Sequence, residues 1–69
     1  MEAIFDPAFI SMRDTCAITS LSRTAINNRR AEGSFPEPVS LGPKRIAFVK
    51  AEVLAWCNER IASRQHEAA

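Results

Sequence analysis

The feature that most constrains the fold of this chain is one segment, Ser22–Gly33, in which both ends of a helix are encoded. Ser22 is a favourable N-cap, because its hydroxyl can accept a hydrogen bond from the free amides of the first turn. Gly33 can adopt the left-handed conformation that ends a helix. The residues between them include three arginines and two asparagines but little apolar surface. The segment therefore predicts one short, exposed, cationic helix.

The helical period divides this segment into an inward and an outward face. If Ile26 faces the core, steps of about 100° per residue put short polar side chains at the centre of the outward face and long cations at its flanks. An asparagine can bond an adenine edge through two hydrogen bonds, and flanking arginines are placed for phosphates or guanine. We predict that bases are read by Thr24, Asn27 and Asn28. We predict that the DNA backbone is contacted by Ser22, Arg23, Arg29 and Arg30.

The same helix is also compatible with a solvated surface that binds nothing, since charged helices are usually solvated. Arg30 is a special case, because it falls on the inward side of the helix. We expect its aliphatic stem to cover the core while its guanidinium reaches solvent or a carboxylate.

A second helix is predicted just before the cationic one. Ser11 is a candidate N-cap with Asp14 three positions later, a shortened capping box. The helix should run over Met12–Ile18, with an inward side formed by Met12, Cys16 and Thr15. The connection Thr19–Leu21 is short enough to force a sharp turn, with Leu21 filling the angle between the helices. This arrangement is typical of a helix-turn-helix, although tightly joined helices also occur in proteins that never bind DNA.

A β-hairpin is predicted after the two helices. Val39–Leu41 and Arg45–Val49 favour strand, and Gly42–Lys44 between them favours a turn. Lys44 and Arg45 would then lie at the hairpin tip, where they could reach a phosphate or a minor groove as a wing does. The alternative is an ordinary hairpin whose basic residues maintain solubility.

The last helix is predicted over Ala51–Ser63 from apolar residues at helical spacing. An aromatic residue in such a stripe, here Trp56, belongs to the core more often than to a base-stacking surface. The predicted core consists of Leu21, Ile26, Phe35, Phe48, Val53 and Trp56. The predicted divisions are a flexible arm over residues 1–8, one small domain over residues 9–63 and a frayed tail over residues 64–69. The fold class is therefore mainly α with a small β-hairpin, a winged helix-turn-helix.

Length and composition limit the function classes. A chain of 69 residues buries only about 60% of its unfolded surface and leaves no room for a large catalytic cleft. An apolar content of 46% with 25% charged residues is typical of a folded domain. No apolar run is long enough to span a membrane, and the segment Met1–Ala3 lacks the cationic start of a secretory signal. We therefore expect a cytoplasmic, nucleoid-associated protein.

Metal, redox and catalytic chemistry find no support in the residue pattern. Cys16, Cys57 and His66 provide neither a CxxC pair nor the four ligands of structural zinc. We expect two free thiols, no metal and no cofactor. No carboxylate pair, Ser–His or Cys–His arrangement, or phosphate-binding glycine loop is recognisable. The chain is therefore not expected to be an enzyme, and we expect no small-molecule substrate.

Charge is distributed unevenly along the chain. The net charge of the chain is only +1. The segment from Arg23 to Lys50, however, contains six cations and two carboxylates, which give it a local net charge of +4. Local potential, more than the total charge, attracts phosphate. A basic face on a nearly neutral molecule is therefore expected.

Several pieces of the sequence resemble a known family in the right order. They are Leu21–Arg23, Ile26, Glu32–Val39, Leu41–Gly42, Arg45, Phe48, Glu52–Val53, Trp56 and Arg60. With them Ile10–Arg60 resembles the AlpA family of small prophage regulators, whose fold is the winged helix of the MerR-like and excisionase group. The chain departs from the family at Ser20, where glycine is usual, at Thr15 and Arg30, where apolar residues are usual, and at Asn28, where arginine is frequent.

The resemblance implies a sequence-specific binder of double-stranded DNA. It would act as a transcriptional regulator, or as an excisionase that bends an attachment site for an integrase. The competing hypothesis is a protein-interaction module that keeps the fold without binding DNA. One helix and one wing bury about 600 to 1,000 Å² of protein, usually too little for tight selection. We therefore predict a weakly associating monomer that binds adjacent sites cooperatively, with Ile4, Phe5 or the wing as neighbour contacts.

Overall fold

The computed structural model of the chain describes residues 7–67, with side chains as far as Arg64. In chain order the elements are β1 (Phe9–Ile10), α1 (Met12–Thr19), α2 (Arg23–Ala31), β2 (Val39–Gly42), β3 (Arg45–Val49) and α3 (Lys50–Glu67). The three strands form one antiparallel sheet with β3 in the centre. Two helices, a hairpin and a closing helix make the winged helix that the sequence predicts.

The turn between α1 and α2 is set by local hydrogen bonds. The Ser11 hydroxyl caps α1 by accepting from the Asp14 amide at 3.0 Å, as predicted. Ser20 ends the helix in the left-handed conformation with φ 62°, and its amide donates to the Cys16 carbonyl at 2.8 Å. The Leu21 amide donates to the Thr19 hydroxyl at 3.3 Å. Three residues, Ser20 to Ser22, thus join the helices in a sharp turn.

The hydrophobic core collects residues from every layer of the fold. The buried cluster consists of Ile10, Ile26, Phe35, Phe48 and Val53. Half-buried residues packed around it are Met12, Cys16, Leu21, Trp56 and Cys57. The six residues predicted to share a core all belong to this group. Thr15, which replaces a larger apolar residue in the family pattern, is fully buried and donates its hydroxyl hydrogen to the Ser11 carbonyl at 2.8 Å.

Strand β1 was not predicted from the sequence. Phe9 pairs with Val49 and Ile10 pairs with Phe48, so Ile10 shares the core face of β3. The Lys50 amide continues this pairing by donating to the Ala8 carbonyl at 2.9 Å. Two residues are too few to show a strand period, so the sequence carries no signal for this strand. Residues 1–6 of the predicted arm lie outside the described residues.

Helix α3 is longer than predicted. It continues to Glu67, so the predicted end at Ser63 is wrong. No glycine or proline follows Ser63, and most of the remaining residues are good helix formers. Cys16 and Cys57 are half-buried free thiols, as expected. None of the helices in the described part of the chain combines the length and hydropathy needed to cross a membrane.

Candidate nucleic-acid interface

Helix α2 is closed at both ends by its own sequence. The Ser22 hydroxyl accepts from the Ala25 amide at 3.0 Å. At the other end Gly33 adopts φ 78°, and its amide donates to the Arg30 carbonyl at 3.0 Å. The Ser34 amide donates to the Arg29 carbonyl at 2.9 Å, which completes a Schellman motif. Both predicted caps are therefore confirmed, and they delimit a helix of nine residues.

The two faces of α2 divide as the helical period predicts. Ile26 is fully buried in the core. Thr24, Asn27 and Asn28 are exposed on the opposite side. Their polar side chains form a surface without bulky groups, which can approach base edges in a major groove closely. Their role in base reading remains a prediction.

The arginines of α2 lie in three different environments. Arg23 is exposed in the first turn, where it can reach a phosphate. Arg29 is half-buried and donates from Nη1 to the Ala25 carbonyl at 3.4 Å. Arg29 and Arg30 both lie in the last turn, where positive charge is favourable to the helix dipole. Among the predicted backbone contacts, Arg23 is thus the most accessible arginine.

Arg30 contacts another predicted DNA-binding residue. It is half-buried, as its inward position requires, and Nη1 donates to Asn27 Oδ1 at 3.0 Å. Its Nε is buried and has no hydrogen-bond partner among the described residues. The guanidinium was expected to reach solvent or a carboxylate; Nη1 reaches an exposed position, where it bonds an amide oxygen one turn earlier and not a carboxylate. The i, i+3 spacing was the signal in the sequence that could have revealed this pair.

The wing is formed by β2 and β3. Ser40 pairs with Ile46 and Gly42 with Arg45, so Leu41 is the extra residue of a β-bulge. Pro43 and Lys44 form the turn, and Lys44 adopts φ 63°, as the third residue of a type II turn requires. Lys44 and Arg45 are both exposed at the tip, as predicted.

Sequence reasoning missed the apolar part of the wing. Leu41 and Ile46 are each 48% exposed beside the two cations. Ile46 lies two residues before the buried Phe48 and therefore on the same face of β3, beyond the limit of the core. The alternation of side chains within a strand could have revealed that shared face, but not where the core ends.

Trp56 is part of the core margin and not of the exposed α2 surface. Its Nε1 donates to the Ser34 carbonyl at 2.8 Å. Its ring lies 4.9 Å from the Phe35 ring at an interplanar angle of 61°. This contact joins α3 to the loop that follows α2, and it confirms the assignment of Trp56 to the core.

Two comparisons with known proteins give a match. Residues 8–61 match the family described as prophage CP4-57 regulatory protein (AlpA). An uncharacterized protein of Enterobacteria phage P4, ORF88, is 39% identical to the chain over 57 residues. That alignment covers 83% of this chain and 65% of the phage protein, so the chain spans just under two thirds of its relative's length. No solved structure matches the chain. The chain belongs to the AlpA family of prophage regulatory proteins.

Proposed function

We propose that this chain binds double-stranded DNA selectively and regulates transcription in a prophage or related mobile element. The observation that carries the proposal is the exposed face of α2. A helix capped at both ends, anchored through Ile26 and following a sharp turn, presents Thr24, Asn27 and Asn28 outward. Such a helix fits a major groove, whose base edges offer distinct donor and acceptor patterns.

The wing supplies the second part of the proposed interface. Ile26 of α2 and Phe48 of β3 belong to one buried cluster, which fixes the helix relative to the hairpin. Lys44 and Arg45 at the tip would contact phosphates and position the reading helix. Leu41 and Ile46 would add apolar contact with the sugar edges of a groove.

The family description and the phage relative support regulation in a mobile element. The family is described as regulatory, which favours a transcriptional role over an excisionase role. Excision with an integrase or another recombinase as partner remains the second form of the same proposal, and it would require DNA bending. In this proposal the protein acts in the cytoplasm, where it is bound to DNA.

The test is selection of duplexes from a random pool, followed by titration of the selected site and a scrambled duplex of equal length. Asn28→Ala should weaken binding to the selected site by about fivefold or more and leave scrambled DNA almost unaffected. Asn58→Ala is the matched control, because Asn58 is an exposed asparagine on α3. Equal losses on both duplexes would remove the reading role from α2. Failure to select any site would favour the protein-interaction module instead.

A further inference from the structure

The hydrogen bond between Arg30 and Asn27 fixes the orientation of an amide on the exposed face of α2. Arg30 Nη1 donates to Asn27 Oδ1 at 3.0 Å. A guanidinium has only donors, so it can be faced by the amide oxygen but not by the amide nitrogen. The Asn27 NH2 group is therefore directed away from Arg30, on a side chain that is exposed.

The arginine that makes this bond is itself held in place. Arg30 is half-buried, and its Nε is inaccessible to solvent without a partner. The Nε end of the side chain is thus packed against the protein, whereas the bond from Nη1 to Asn27 is exposed. Because Nε is fixed by packing, Nη1 is held beside its neighbour Asn27 on the helix.

Amide orientation decides which base edge an asparagine matches. Reading adenine through two bonds requires the amide oxygen to accept from N6 while the nitrogen donates to N7. In α2 one of the two lone pairs of the oxygen is occupied by Arg30, whereas the nitrogen keeps both of its donors available for a base. Guanine offers two adjacent acceptors, N7 and O6, whereas cytosine offers only a donor in the major groove.

We propose that Arg30 is a positioning residue that holds the Asn27 amide with its NH2 group outward, so that Asn27 prefers guanine over adenine at its base pair. This inference rests on the proposed function. It assigns to Arg30 a role in specificity through Asn27, in place of the predicted contact with the DNA backbone.

The experiment compares Arg30→Met, Asn27→Ala and the double variant with the wild type. Methionine keeps an unbranched side chain about as long as the arginine stem from Cβ to Nε, and it removes every donor. Arg23→Met is the control, because Arg23 is an exposed arginine on the same helix. Two quantities are measured: the order of the Asn27 side-chain amide by NMR relaxation in the free protein, and relative affinities for selected duplexes that differ at one base pair.

We expect wild-type protein to prefer guanine over adenine at one base pair by about fivefold or more. Arg30→Met should fold, loosen the Asn27 amide and abolish most of that preference. It should change nothing further in the Asn27→Ala background, because the two residues act as one unit. Arg23→Met should instead weaken binding to all duplexes alike and leave the preference for guanine intact.

Three results would overturn the inference. The first is an Asn27 amide equally ordered in wild type and Arg30→Met, and the second is a base preference that survives Arg30→Met. The third is a uniform loss of affinity in Arg30→Met with a salt dependence reduced by about one ion, which would make Arg30 a phosphate contact. The second and third would leave the proposed function standing. A wild type without any sequence preference would overturn the proposed function together with the guanine preference.

Discussion

Trp56→Ala should leave a large fraction of the molecules unfolded. The loss in free energy of unfolding can be estimated from the contacts of the ring. The substitution removes the hydrogen bond to the Ser34 carbonyl, about 1 kcal/mol. It removes the edge contact with Phe35 at 4.9 Å, about 1 kcal/mol. Because the ring is only half-buried, the lost apolar burial adds about 1 to 1.5 kcal/mol. The total of about 3 kcal/mol matches the lower end of measured Trp→Ala costs.

A domain of this size has a free energy of unfolding of only about 3 to 5 kcal/mol. Trp56→Phe keeps an aromatic ring beside Phe35 and should cost only about 1 kcal/mol, mainly for the hydrogen bond. Urea unfolding followed by far-ultraviolet circular dichroism is the appropriate assay, since the chain has a single tryptophan and both variants lose its fluorescence. Leu54→Ala on the same helix is the control, because Leu54 is 41% exposed and should cost clearly less than Trp56→Ala. A Trp56→Ala midpoint equal to that of the wild type would refute the assignment of Trp56 to the core.

Three further predictions concern the turn, the wing and assembly. Ser20→Gly should stabilise the protein by about 1 kcal/mol in urea unfolding, because Ser20 occupies the left-handed region with φ 62°; a loss of stability would show that its side chain matters more than the backbone strain. Lys44→Gly should also stabilise the fold, since Lys44 has φ 63°. It should nevertheless weaken binding to selected and scrambled duplexes alike, and reduce the slope of binding affinity against salt concentration by about one. A loss confined to the selected site would mean that Lys44 reads bases. Sedimentation should find a monomer in free solution, while titration of one-site and two-site duplexes should show tighter binding per site on the latter; a stable free dimer, or equal affinity per site, would contradict cooperative assembly on DNA.

The sequence predicts the parts of this fold that depend on neighbours along the chain. Ser11, Ser22 and Gly33 form the caps expected of them, because a cap needs only the helix it closes. The hairpin is predicted for the same reason, since strand propensity and the turn residues agree locally. The buried position of Ile26 follows from helical period alone.

The features that were missed depend on contacts between elements. Strand β1 exists because Phe9 and Ile10 meet β3, a partner about forty residues later, and two residues carry no pattern of their own. The exposure of Leu41 and Ile46 depends on where the core ends relative to the hairpin.

The sequence predicts which side chains of the candidate site are exposed, but not the hydrogen bond between two of its residues. Thr24, Asn27 and Asn28 are exposed together because one helical period decides their direction. The bond from Arg30 to Asn27 was missed, because an inward arginine can satisfy its guanidinium in several ways. The packing of the side chain decides which partner the guanidinium reaches.

The measurement that tests the central claim most directly is NMR of the wild-type protein bound to its selected duplex. We expect the largest amide shift changes in Thr24–Asn28 of α2 and in Lys44 and Arg45 of the wing. Intermolecular contacts should connect the side chains of Asn27 and Asn28 with base protons of the major groove. Shift changes concentrated along α3, between Leu54 and Ile61, with α2 unaffected, would contradict the account.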